Sequence, residues 1–202
     1  MMEIGKLILA FAPWLAFWFI SGPSILRLHI ALFVAAALVI IMAITKLHKG
    51  AILWAGYVFF SFALVTVVWL KNMWVIHHLG VLASGTLFLA TQLSMLLGRP
   101  FTENYAREHV PRELWNSSSF IRSCIVTTSA WSFVFLANTM INVVRLNYPN
   151  LSEWPFRTSE YLIVAMGIIF TSVYSRHVRR NREEELTTID DRQIIDNSTT
   201  AK

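Results

Sequence analysis

Between Leu7 and Tyr174 the chain is a succession of apolar stretches, each close to the length that crosses a bilayer, joined by short polar connectors. About 20 predominantly apolar residues cover the hydrocarbon core as a helix. Ranges 25–45, 51–70, 73–97 and 120–144 reach that length outright. The flanking runs 4–21 and 161–177 are shorter, and at 1.5 Å rise per residue they must borrow neighbouring residues or thin the bilayer to cross. The pattern predicts an all-α, polytopic transmembrane helix bundle over residues 1–178, with six spans and a five-span arrangement as the alternative.

Composition sharpens this. Only 14% of the 202 residues are charged, where a soluble domain carries about a quarter. None of the 12 Asp and Glu residues falls in the middle of an apolar stretch, where an ionised group is costly, so no charged substrate pathway is expected. The single cysteine, Cys124, excludes an intrachain disulfide. Near the N-terminus, Ala10-Phe11-Ala12 has the look of a cleavage box, but the apolar run continues to Ile20, which predicts an uncleaved anchor.

Orientation follows from the basic residues. Lys6, Lys46, Lys49, Arg99, Arg107, Arg112 and Arg122 fall on one side, with Arg176, Arg179, Arg180 and Arg182 after the last span. Arg27, Lys71, Arg145 and Arg157 fall on the other. The positive-inside rule then puts both termini in the cytoplasm. Trp54, Trp69, Trp74, Trp115 and Trp154 lie near predicted ends, as headgroup-anchored indoles do. The net charge of +5 is spread among loops rather than gathered on one soluble surface, so no nucleic-acid partner is implied. Residues 179–202 turn acidic and polar with no aromatic residue, which predicts a disordered cytoplasmic tail.

One connector, 98–119, is long enough for structure of its own. Thr102 is placed to cap a short helix, Glu103 with Arg107 and Glu108 with Arg112 form i,i+4 pairs, and Pro111 interrupts. With Tyr105 and Trp115 as aromatic anchors, Tyr105, Arg107, Arg112 and Trp115 are the candidate partner-binding residues of an interfacial helix. In the fifth span Thr127, Trp131, Phe135, Asn138 and Asn142 recur at helical spacing and share one face. Asparagines in lipid turn inward to another helix, and Gly80 and Ser84 form a small-xxx-small pair that lets backbones approach. Gly80, Ser84, Trp131, Asn138 and Asn142 are therefore candidate helix-packing residues.

His29, His77 and His78 lie near the ends of spans two and four and are the one set suggestive of an electron-transfer subunit, with His29 and one of the pair as axial ligands of a b-type haem. Histidines at helix ends have an ordinary interfacial use, and no cofactor is expected. The chain has no Gly-rich phosphate loop, no Gly-x-Ser-x-Gly and no His-Glu-x-x-His, so no enzymatic activity is expected. A lipid or small-solute carrier would require a cavity between spans four and five, lined by the Asn138 stripe.

The order of several short motifs resembles that of the intracellular septation protein A family of small bacterial inner-membrane proteins. Pro13 is followed by Phe17-Trp18, Thr91-Gln92 by Arg99-Pro100, and Pro111 by Trp115; Ala130-Trp131, Ala137-Asn138, Tyr174 and Arg176-His177 come after. The resemblance implies a nonenzymatic role in envelope maintenance or septation, exercised through membrane proteins of the elongation and division machinery. It leaves self-association into a homo-oligomer open. Reporter fusions after Lys49, Lys71, Trp115 and Asn150 are expected to read inside, outside, inside, outside; an outward N-terminus would replace six spans by five.

Overall fold

The computed structural model describes residues 9–22, 24–45, 50–107 and 110–200, with side chains to 180. Lys6, Lys46, Lys49 and Glu108, which bear on orientation and pairing, lie outside the described residues, as do residues 4–8 of the first expected span. The chain is an all-α bundle. Its helices are α1 (Ala12–Ile20), α2 (Ile25–Ile44), α3 (Ala51–Ala63), α4 (Met73–Leu96), the short α5 (Glu103–Ala106), α6 (Ser118–Asn147) and α7 (Glu153–Thr200). A π-helical segment, Leu64–Trp69, prolongs α3, and Arg112–Leu114 forms a 3₁₀ turn after Pro111.

Five helices among the described residues are long and apolar enough to cross a membrane: Ile25–Ile44, Ala51–Trp69, Met73–Leu96, Ser118–Asn147 and Glu153–Arg180. Of the first expected span, 4–21, the structure describes residues 9–21. The 9 residues of α1 rise about 13 Å from the end at Phe101, where Phe11 lies, toward the end at Glu160, where Trp18 lies. The count of five is therefore one of described residues and fits a six-span arrangement equally. The last span, expected over 161–177, starts at Glu153 and thereby gains the length that it lacked. The backbone of α7 remains helical to Thr200, through the stretch expected as a disordered tail. Arg, Glu and Leu at 179–186 are good helix formers and give a physical reason for the continuation.

The distribution of polarity is inverted relative to a soluble protein. Ile30, Phe33, Ile40, Phe62, Leu89, Phe133 and Ile169 are exposed on the outer surface, while Thr91, Thr128, Ser132, Asn138, Asn142, Glu160 and Thr171 are buried. Lipid tails accept the first set without penalty, and the second finds partners only inside. Gln92 Nε2 donates to Ser132 Oγ at 3.0 Å, tying α4 to α6. Trp131 Nε1 donates to Thr171 Oγ1 at 3.0 Å, tying α6 to α7. The bundle is an integral membrane protein whose helices are joined by internal hydrogen bonds.

Although short, α1 is placed at the centre. Trp14 stacks on Phe59 at 5.2 Å and lies 5.0 Å from Phe60. One turn earlier, Phe11 stacks on Trp131 at 5.2 Å. Such offset and tilted ring pairs add about 0.5–1.5 kcal/mol each beyond the area that they bury. Proline at the start of α1, Pro13, costs nothing there because the first amides of a helix have no intrahelical acceptor.

Connectors alternate between the two ends of the bundle. Gly50, at the start of α3, lies against Asn104 and the Tyr105 hydroxyl, so the turn before α3 and the connector before α6 share one end. The opposite end gathers Ser21 and Gly22 after α1, Met73 at the start of α4, Arg145 near the end of α6 and Arg157 in the first turns of α7. There the chain reverses sharply after the π segment: Lys71 takes a left-handed φ of 48°, and the Asn72 side chain caps α4 by accepting from the Trp74 and Val75 amides.

Candidate functional site

The stripe on α6 faces inward as its spacing predicts. Thr127, Trp131, Phe135, Asn138 and Asn142 are all buried. Its partner on α4 is also as expected at one point: Gly80 presses on the Asn142 amide so closely that a Cβ there would overlap Asn142 Oδ1. Ser84 is different. Its hydroxyl turns back to the Gly80 carbonyl at 2.9 Å instead of crossing to α6. Beside this seam, enclosed by α1, the start of α2, α4, α6 and α7, lies a cavity of about 450 Å³, within the range typical of small-molecule sites.

This cavity has an apolar floor and a polar mouth. Trp14 and Phe17 of α1, Leu87 of α4 and Trp131 and Phe135 of α6 form the floor. Toward the end that holds Ser21 and Met73, the wall becomes polar through Asn138, Asn142, Arg145, Arg157 and Glu160, with His77 and Ser84 on the α4 side. The Gly80–Ser84 pair, expected to pack against Asn138, lines the cavity at both residues, with Gly80 in close contact with Asn142.

Glu160 is the residue that sequence reasoning missed. It is 3% exposed. Its Oε1 accepts from Asn142 Nδ2 at 2.7 Å and its Oε2 from Trp18 Nε1 at 2.9 Å, so one carboxyl joins α1, α6 and α7. The Trp18 ring is in turn packed 4.4 Å from Tyr161. Asn142 Nδ2 also donates to the Asn138 carbonyl at 2.9 Å, continuing the chain of bonds along α6. In the sequence Glu160 borders the apolar run 161–177 rather than lying in its middle, and the earlier start of α7 places it within the helix. Because α7 begins at Glu153, Glu160 lies six residues beyond Trp154, about 9 Å along the helix axis at 1.5 Å per residue. A signal was present: buried Thr171 and Gly167 and half-buried Val164 mark one face of α7 at helical spacing, and the same spacing reaches Glu160.

Two arginines share the mouth without closing an ion pair on Glu160. Arg157 Nε lies 3.7 Å from Glu153 Oε2 instead. The Arg145 guanidinium lies beside Gly80 and Asn142, with Nη2 3.5 Å from where a Gly80 Cβ would stand. Asn138 Oδ1 is buried with no hydrogen-bond partner. Among the described residues no group of three His, Cys, Asp or Glu side chains is arranged to hold a metal ion. Of the histidines, His77 lines the cavity; His78 Nδ1 lies 2.8 Å from the Trp74 carbonyl with its ring stacked on Trp74; and His29 is not part of the lining. The cavity thus does not gather the axial pair that a haem would need.

The connector before α6 folds onto the bundle. Phe101 and Thr102 are each 1% exposed and Tyr105 is 4% exposed. Thr102 stands at the N-cap of α5 but makes no side-chain capping bond; its Oγ1 lies 2.9 Å from both the Cys124 carbonyl and Thr128 Oγ1, which anchors the connector to α6. Tyr105 is accordingly an interior anchor rather than a contact surface. Arg107 pairs with Glu103 as the spacing predicts, and its guanidinium lies 4.8 Å from the Trp115 ring centre, with that of Arg112 at 5.7 Å. Trp115 Nε1 donates to the Val110 carbonyl at 2.8 Å, which fixes this clasp.

Comparison of the chain with protein-family models, with curated proteins and with solved structures finds no match. The geometry therefore stands on its own chemistry: an amphipathic cavity inside a membrane bundle, headed by a carboxyl held by two donors. Replacing Glu160 by Leu strands the donors of Trp18 and Asn142, and a buried donor left unsatisfied costs about 1–3 kcal/mol. Thermal unfolding in detergent is expected to rank wild type above Glu160→Gln and both above Glu160→Leu. Equal midpoints for wild type and the Leu variant would show that the carboxyl does not join the helices.

Proposed function

We propose that this protein binds an amphiphile inside the bilayer, as a nonenzymatic lipid or small-solute carrier or receptor of the bacterial inner membrane. The observation that supports this reading most is the cavity enclosed by α1, α4, α6 and α7, apolar at Trp14, Phe17 and Phe135 and polar at Asn138, Asn142 and Glu160. A solute with one polar end and one apolar body meets its complement at both ends of such a space. In the orientation implied by the positive-inside rule, the mouth lies toward the outer leaflet, on the side of Arg145 and Arg157, and both termini are cytoplasmic.

The resemblance to the septation protein A family supplies a setting, envelope maintenance and septation. One observation favours contact with other membrane proteins as a second reading: Arg112 is exposed beside the half-buried Trp115, forming a cationic aromatic patch at the end of the bundle opposite the cavity mouth. Aromatic and Arg side chains are enriched among interface anchors.

One complementation experiment separates the two readings. Ser84→Leu, which fills the cavity, is expected to abolish recovery of amphiphile by mass spectrometry of the purified protein and to lose any envelope phenotype rescue. Arg112→Ala with Trp115→Ala is expected to retain both. If Ser84→Leu complements a deletion fully while the clasp variant does not, contact through the connector is the function and the cavity is incidental.

A further inference from the structure

The mouth of the cavity specifies more than an amphiphile in general, and a headgroup assigned to it rests on the amphiphile-binding reading. Each Glu160 oxygen has one donor, from Asn142 or from Trp18, and a carboxylate oxygen takes two. Asn138, 8% exposed, lines the same space with its Oδ1 unpartnered. Asn142 links the two residues, its Nδ2 lying 2.7 Å from Glu160 Oε1 and 2.9 Å from the backbone carbonyl of Asn138. Buried acceptors of this kind are costly unless a donor reaches them, and a carboxylate removed from water is stabilised by a cation brought to it. At the same mouth Arg145 and Arg157 present guanidinium groups, the chemistry that recognises a phosphate.

We propose that the cavity binds a phospholipid whose headgroup carries both a primary ammonium and a phosphodiester. The ammonium, with three N–H donors, sits against the Glu160 carboxylate, whose two oxygens each keep an open acceptor position. Its phosphate faces Arg145 and Arg157. One acyl chain lies over the floor at Phe17, Leu87 and Phe135. A choline headgroup carries the same charge but no N–H to satisfy the acceptors. A glycerol headgroup carries the phosphate and leaves Glu160 without its cation.

Tryptophans at the cavity, Trp14, Trp18 and Trp131, provide the readout. Full-length protein in detergent is titrated with ethanolamine, choline and glycerol phospholipids of identical dibrominated chains, and fluorescence quenching is followed. Saturable quenching by the ethanolamine lipid is expected at roughly tenfold lower concentration than by the choline lipid, the loss expected for one charge-assisted hydrogen bond. Glu160→Gln should shrink that ratio to within about threefold, while Arg145→Gln with Arg157→Gln should weaken the ethanolamine and glycerol lipids together. Equal quenching by ethanolamine and choline lipids, or tightest binding of the glycerol lipid, overturns the headgroup assignment and leaves amphiphile binding standing. Absence of saturable quenching by all three overturns the amphiphile reading itself. The wild-type ratio decides the matter even if Glu160→Gln does not fold.

Discussion

The hydrogen bonds from Trp18 and Asn142 to the two oxygens of Glu160 are the constraint on which the rest of the mouth depends. In lipid no solvent competes for these groups, so three helices that have no hydrophobic reason to prefer one another acquire a fixed arrangement. Because α1 is drawn in by Trp18 at one end, its Trp14 and Phe11 rings meet Phe59, Phe60 and Trp131 further along. Asn142, held toward α7 by the same carboxyl, is the group against which Gly80 of α4 packs. Beside that contact Ala83 and Ser84 line the cavity enclosed by α1, α4, α6 and α7.

Polarity inside and apolarity outside then serve two purposes at once. Thr102, Thr128, Ser132 and Thr171 are buried and bonded, and they make the end at the long connector and the middle of the bundle a closed structure. At the mouth the bonding is incomplete: Asn138 Oδ1 has no partner, and two arginines lie near a carboxyl without pairing with it. Interiors satisfy their polar groups, so the place where satisfaction stops is the place where a ligand has something to offer.

Much of this was legible in the sequence, and the residues that were not share a cause. Hydropathy identified the membrane bundle and four of its spans with close boundaries, and the period of Thr127, Trp131, Phe135, Asn138 and Asn142 identified the buried face of α6. Glu160 was hidden because hydropathy is summed along the chain: an acid beside Tyr161 is read as the polar border of an apolar run. Only the start of α7 at Glu153, and the face shared with Gly167 and Thr171, carries it inside. Tyr105 was misread for the converse reason. A tyrosine in a polar connector reads as surface, whereas the connector folds back under its Phe101 and Thr102 anchors and takes Tyr105 into the core. Ser84 was paired with α6 from its spacing alone, which fixes the helix face but not where a hydroxyl finds its acceptor.

The most direct measurement is an experimental structure of the full-length protein in nanodiscs made from a bacterial lipid extract. Elongated density in the space enclosed by α1, α4, α6 and α7, with its polar end within hydrogen-bond reach of Glu160, is the predicted result. A cavity closed by direct packing of α4 on Asn138 and Trp131, with Glu160 turned out toward the headgroups, would contradict it.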